Sequence, residues 1–166
     1  VFLYDNAGTL TLELSAAWTT DTARADALTT QDGISVKSGA TTRRWVGMIR
    51  ASAANQTEDS KVKRLVWNKH NRVPRSLARR ETSANWTYST ATLREANGTT
   101  NINVVAFVLG ESEDAVYCVV RAQAHHSSTS PESFTTIGLD SPTAQAADAD
   151  LSNIYGVAAN EANILV

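Results

Sequence analysis

Short runs in which apolar residues alternate with hydroxyl-bearing ones recur along this chain of 166 residues, and they limit its fold more than any other feature. Residues 9–15 show the pattern most plainly: Leu10, Leu12 and Leu14 alternate with Thr9, Thr11 and Glu13. A period of two sends successive side chains to opposite faces of a strand, so these runs predict sheets with one buried and one wet face. The Asp5-Asn6-Ala7-Gly8 segment supplies the residues a tight turn needs and predicts a hairpin of residues 2–4 with 9–15.

Further along, residues 19–33 fit a short helix capped by Asp21, or a loop, equally well. Strand-like residues follow at 34–37 and, after Ser38-Gly39, at 44–51, with another imperfect run at 61–68. Pro74 removes a backbone donor and biases Val73 toward extended geometry, which predicts an edge strand or an extended crossing there. A short helical turn over 75–80 is compatible with this. Residues 85–95 keep strict period two, with Trp86, Tyr88, Thr90, Thr92 and Arg94 on one side, and predict a long strand. Asn97-Gly98 then turns the chain into residues 102–109, apolar on both faces as a central strand would be. Residues 115–126 and 134–139 read as further strands, 127–133 as a loop tip, 143–153 as a weak helical or loop segment, and 154–157 and 163–166 as strand material. About eight to ten strands with one or two short helices predict an all-β fold: an antiparallel β-sandwich, jelly-roll-like, forming a single domain over 1–166. Both ends break into apolar strand patterns, which suggests a longer product.

The hydrophobic fraction of 42% and charged fraction of 19% describe a folding chain, and the net charge of −2 gives no global attraction to phosphate or anionic lipid. Neither nucleic acid nor membrane is expected as a partner. The single cysteine, Cys118, cannot make an intrachain disulfide and reads as a small buried apolar group among valines. The three Asn-X-Ser/Thr sequons at Asn55, Asn85 and Asn97 are no more than a Thr-rich and Ser-rich chain produces by chance.

Charge is concentrated in residues 57–81, which hold Lys61, Lys63, Arg64, Lys69, Arg72, Arg75, Arg79 and Arg80, eight of the fifteen Lys and Arg. Arg64, Trp67, Arg72 and Arg75, with Trp86 beyond them, are the candidate subunit-interface residues, because Trp and Arg dominate interface hot spots and Arg grips carboxylates with two prongs. The competing reading lays the arginine stems along a sheet and pairs them with Glu58, Asp59 and Glu81. Eight cations exceed those acids, which favours contact between subunits. Trp45, Trp67, Trp86 and Tyr88 could instead line a face that stacks on sugar rings. No catalytic residues emerge: the acid pairs lie in turn contexts, and no phosphate loop, nucleophile elbow or Cys-His arrangement is present. His70, His125 and His126 lack metal-ligand spacing, so no metal and no cofactor is expected.

As a set and in order, LYDNAGTLTLELSAAWT, DGISVKSGATTRRWVGMIR, TEDSKVKRLVWNKHNRVPR, NWTYSTATLREANG and IGLDSPTA resemble a family of proteins encoded among the virion structural genes of tailed bacteriophages and related prophages. The resemblance covers residues 1 to about 143. It implies a virion component on the capsid surface or in a tail fibre or spike, not an enzyme, and brings no catalytic or binding residues. The expectation is therefore a homo-oligomer, a trimer, located in the virion, contacting other phage virion proteins and, at exposed loops, a host surface glycan.

Overall fold

The computed structural model describes residues 1–20, 23–90, 92–99, 101–125, 132–140, 152–156 and 161–165. Among them the chain is nearly all β, and its one helical segment is the 3-10 turn Ala96–Gly98. Contacts gather in two compact units, residues 1–79 with 105–114, and residues 80–104 with 115–166.

The first unit is built on a five-stranded antiparallel sheet. Its strands are β1 (Phe2–Asn6), β2 (Thr9–Glu13), β3 (Leu28–Gln31), β4 (Ile34–Lys37) and β5 (Ala40–Trp45), in the order β2-β1-β5-β4-β3. The predicted first hairpin is present, with Leu3 opposite Leu12 and Asn6 opposite Thr9. That register puts Ala7 and Gly8 at the two central turn positions, with φ of 51° and 88°. Asp5 Oδ1 accepts the Gly8 amide at 2.7 Å and holds the turn. Asp32 and Gly33, with φ of 51° and 78°, make the corresponding turn between β3 and β4. Strand β3 lies where a helix or loop was expected; its Leu-Thr-Thr-Gln sequence finds a ladder on β4, and a partner decides strand formation more than local propensity does. Asp21 itself lies outside the described residues. Between β4 and β5 the register slips, so that Thr41, Thr42 and Arg43 stand opposite the single step from Val36 to Lys37.

Paired residues share a face. Phe2, Tyr4, Thr11, Glu13 and Trp45 therefore lie on one side of the sheet, and Leu3, Asp5, Leu10, Leu12 and Arg44 on the other. The first side is covered. Phe2 and Trp45 are buried there, Arg43 lies 4.6 Å from the Tyr4 ring centre, and Glu13 is gripped by Lys37 at 2.7 Å and Arg43 at 2.5 Å. The second side carries the leucines, and the expectation that they are buried is overturned: Leu10 is 74% exposed, Leu12 66% and Leu14, just past the strand, 64%. The alternation assigned Leu10 and Leu12 to a common face correctly, yet β2 is an edge strand and its end of that face stays exposed, while at the β4 end Val36, placed on the same face by its pairing with Arg44, is buried.

Strands β6 (Gly47–Ile49) and β8 (Val66–Asn68) pair antiparallel, with Met48 opposite Trp67. The run expected at 61–68 is divided at buried Leu65, and its first half, β7 (Lys63–Arg64), pairs parallel with β9 (Ala106–Phe107). The central strand expected over 102–109 is confined to β9. Residues 71–82 form neither helix nor strand, as an extended crossing at Pro74 requires, and no helical turn forms over 75–80.

In the second unit, β10 (Arg121–His125) pairs antiparallel with β13 (Glu161–Leu165), and β11 (Glu132–Thr136) with β12 (Ser152–Gly156). Among the described residues of 85–95 the expected long strand does not form. Tyr88 Oη meets Thr92 Oγ1 at 2.7 Å, and the Arg94 guanidinium lies 3.7 Å from the Tyr88 ring centre. An extended chain would place residues four apart roughly 13 Å from each other, so these contacts require a folded-back loop. Residues 115–120 likewise form no ladder: Tyr117 is 92% exposed and Cys118 half-buried, not buried. The loop tip expected over 127–133 and the segment over 143–153 fall largely outside the described residues.

Ala7 is the one residue of its turn that pays for a left-handed backbone with a Cβ. Ala7→Asn creates the Asn-Gly pair such turns favour and is expected to stabilise the first unit by about 0.5–1 kcal/mol, measured as a higher denaturation midpoint in urea.

Candidate functional site

The basic segment folds across the covered side of the sheet and brings Trp67 onto Trp45, with ring centres 5.1 Å apart and planes at 17°. The fit is close on all sides. A Cβ on Gly110 would come 2.3 Å from Trp67 ring atoms, and one on Gly47 would come 2.4 Å from the Trp67 carbonyl oxygen, so both positions require glycine.

Cations surround the stacked rings. The Arg24 guanidinium lies 4.7 Å from the Trp45 ring centre and 5.2 Å from that of Trp18, Lys69 lies 5.1 Å from Trp45, and Arg72 lies 5.9 Å from Trp67. Such contacts gain from the negative potential on a ring face, the more so where water is excluded. Burial lowers the Arg24 pKa from its ordinary value, and its Nη2 donates to the Gly110 carbonyl at 2.8 Å.

The counter-charges come from an acidic turn more than forty positions away. Lys69 pairs with Glu111, while Arg72 donates to Glu113 at 3.1 Å and to Asp114 at 2.5 Å. Hydrogen bonding to Asp114, then to Glu113, raises the Arg72 pKa against some desolvation. Desolvation pushes the Asp114 carboxyl up, but the Glu111 amide, Arg72 and the Gly110 amide outweigh it and leave the pKa below its ordinary value. Arg64 pairs with Asp59 at 2.9 Å and Arg75 reaches the same carboxylate at 3.5 Å, so one acid serves both. Lys63 pairs with Glu58 at 3.2 Å. The structure thus unites four of the five candidate residues, Arg64, Trp67, Arg72 and Arg75, in the first unit. Their acids include Asp59, as the sequence allowed, and also Glu111, Glu113 and Asp114, which no local count could supply.

Trp86 belongs to the second unit and is 46% exposed, with Tyr88 38% exposed beside it. Arg94 occupies one face of the Tyr88 ring. Of the four aromatics considered for sugar stacking, Trp45 and Trp67 spend ring faces on each other and on cations, and Trp86 and Tyr88 keep exposed surface. The loop bearing them is pinned by two carboxylates. Glu81 accepts the Ser83 amide at 2.8 Å and Asn103 Nδ2 at 2.7 Å; Glu95 accepts the amides of Asn101 and Asn103. The hydrogen bonds from the Ser83 amide and from Asn103 lower the Glu81 pKa to about 2.

His70 is exposed at the edge of an open groove of about 280 Å³ lined also by Leu3, Arg44 and Val46. His125 ends β10, and His126 lies outside the described residues. No group of three or more His, Cys, Asp or Glu suited to a metal ion occurs among the described residues, nor does a helix long and apolar enough to cross a membrane. Comparison with protein-family profiles, with curated proteins and with solved structures finds no match to this chain.

Removing the Trp45 ring leaves a cavity that Trp67 cannot fill, and Trp45→Ala is expected to cost about 3–5 kcal/mol in denaturant unfolding. Gly110→Ala, which forces a methyl into the Trp67 ring, is expected to cost about 1–3 kcal/mol. Because the folded-state pKa of Glu81 is depressed, its contribution is complete above the unfolded value near 4.5 and is lost as pH falls through about 2. An NMR titration of the Glu81 side chain is expected to show a midpoint near 2, and the amides of Ser83 and Asn103 to shift with it.

Proposed function

We propose that this chain is a structural protein of a bacteriophage virion, placed on the capsid surface or in a tail fibre or spike, and that it works as a homo-oligomer in assembly or host attachment. A jelly-roll-like sandwich is the architecture this reading assigns to it. The resemblance of its motif set to virion structural proteins supports the reading, as do the short antiparallel hairpins of the nearly all-β described chain. The observation that carries most weight is the exposed leucine face of the five-stranded sheet, because contiguous apolar surface of this kind marks a surface built to meet a neighbour. Contacts with other virion proteins would fall, in the first unit, on the exposed parts of Arg72 and Arg75, with Trp67 and Arg64 beside them, and, in the second unit, on Trp86. A second reading, glycan binding, draws on the exposure of Trp86 and Tyr88, whose rings offer apolar surface to a sugar.

The decisive experiment is quantitative mass spectrometry of particles purified from the phage or prophage that encodes the chain. The expected outcome is many copies per particle; a chain confined to the soluble lysate and missing from particles overturns the proposal. Glycan-array binding that disappears in Trp86→Ala is the outcome that would favour the second reading.

A further inference from the structure

The leucine face of the five-stranded sheet is buried at Val36 of β4 but open along β2, and the open part has a pattern that points to its occupant. Along it run Leu10 and Leu12 of β2, Leu3 and Asp5 of β1 and Arg44 of β5. The charges on this patch are one of each sign: Asp5 stands beside Leu10, and Arg44 beside Leu3. Glu13, the other acid of the hairpin, points to the opposite side and is neutralised there by Lys37 and Arg43. The groove lined by Leu3, Arg44, Val46 and His70 opens at the Arg44 end.

We infer that the leucine face is a two-fold interface with a second copy of this chain. The inference rests on the reading of this face as an assembly surface, and not on membership of a virion. Strand geometry sets Asp5 and Arg44 roughly 8 Å apart, and places Leu12 at roughly 8 Å from the first and 10 Å from the second. An in-plane two-fold axis that exchanges the Asp5 and Arg44 positions therefore passes close to Leu3 and Leu12. Under that one operation Asp5 of each copy faces Arg44 of the other, giving two ion pairs, while the leucines near the axis meet their own counterparts. The same operation carries Leu10 over the Val46 end of the partner, onto the groove of about 280 Å³. Strands of the two copies then cross steeply, toward the orthogonal class of sheet packing. A partner with a uniformly charged surface would leave either Asp5 or Arg44 against a like charge; a second copy satisfies both.

Sedimentation velocity and light scattering on the whole chain test this directly. The expected result is a dimer at micromolar concentration. Leu12→Lys, a change at an exposed position, is expected to weaken it by about tenfold or more while leaving circular dichroism and the melting transition of the subunit in place. Arg44→Asp is expected to weaken the dimer, and Arg44→Lys, which keeps a positive charge opposite Asp5, to retain it, a contrast that damage to folding would not produce. A wild-type monomer, a trimer, or a folded Leu12→Lys variant that stays fully dimeric overturns the inference. A trimer overturns the two-fold alone and a monomer overturns the homo-oligomer of the proposed function as well, whereas occurrence in particles is decided separately by mass spectrometry.

Discussion

The Trp45–Trp67 stack is the contact on which the first unit depends. Trp45 ends a strand of the five-stranded sheet, and Trp67 is the middle residue of a strand in the separate two-stranded pair that follows, so this contact ties the sheet to that pair. Buried apolar side chains are few among the described residues: Phe2, Val36, Trp45 and Leu65. With so small an aliphatic core, two large rings supply a disproportionate share of the buried apolar surface. The cations around them complete the packing with their stems and place their charge where the ring potential is favourable. The turn from Gly110 to Asp114 answers them, with a carbonyl for the partly buried Arg24 and carboxylates for Lys69 and Arg72. The turn is itself fixed by Asp114 Oδ2, which accepts the amides of Gly110 and Glu111 at 3.0 and 3.1 Å. Stack, cations and turn therefore form one cooperative assembly, in which loss of a ring strands charge as well as opening space.

That assembly makes the two sides of the sheet unequal. On one side aromatic rings and ion pairs satisfy each other within the subunit. On the other, leucines at every second position of the edge strand stay in contact with water. Burying one leucine side chain contributes about 1.5–3 kcal/mol, so a neighbour able to cover this row has several kcal/mol to gain that the isolated subunit leaves unrealised. An edge strand without Lys, Pro or a bulge also lacks the usual devices that discourage association.

The extent to which all this could be read from the sequence follows from how local each determinant is. The first hairpin was legible because Leu10, Leu12 and Leu14 carry the period and Asp5 to Gly8 carry the turn within a dozen residues. The same reasoning failed for the stretch from Trp86 to Arg94, whose alternation is as strict. Tyr88, Thr92 and Arg94 close on one another there, and a strand without a partner has no ladder to hold it extended. Strand β3 was missed for the converse reason: its partner β4, and not its own residues, makes it a strand. Periodicity also assigned the leucines to a common face without saying whether anything covers that face, since coverage is a property of the tertiary fold. The arginines show the same limit. Arg72 looked unbalanced beside Glu58, Asp59 and Glu81 because Glu113 and Asp114 lie more than forty positions away and meet it only after folding.

This rearrangement of charge bears on how the chain would assemble. A segment with eight Lys and Arg is expected to attract an acidic partner while its cations are free. Here Arg64, Lys69, Arg72 and Arg75 already have carboxylates, so a partner using them must compete with intramolecular pairs that lose nothing in translational freedom on forming. The leucine face imposes no such competition. Covering it displaces only water, and the single acid and single base that flank it need a partner bearing the reverse order. Binding strength would then come from apolar burial and orientation from the sparse charges, a division of roles that lets one sheet face set both whether subunits associate and in which register.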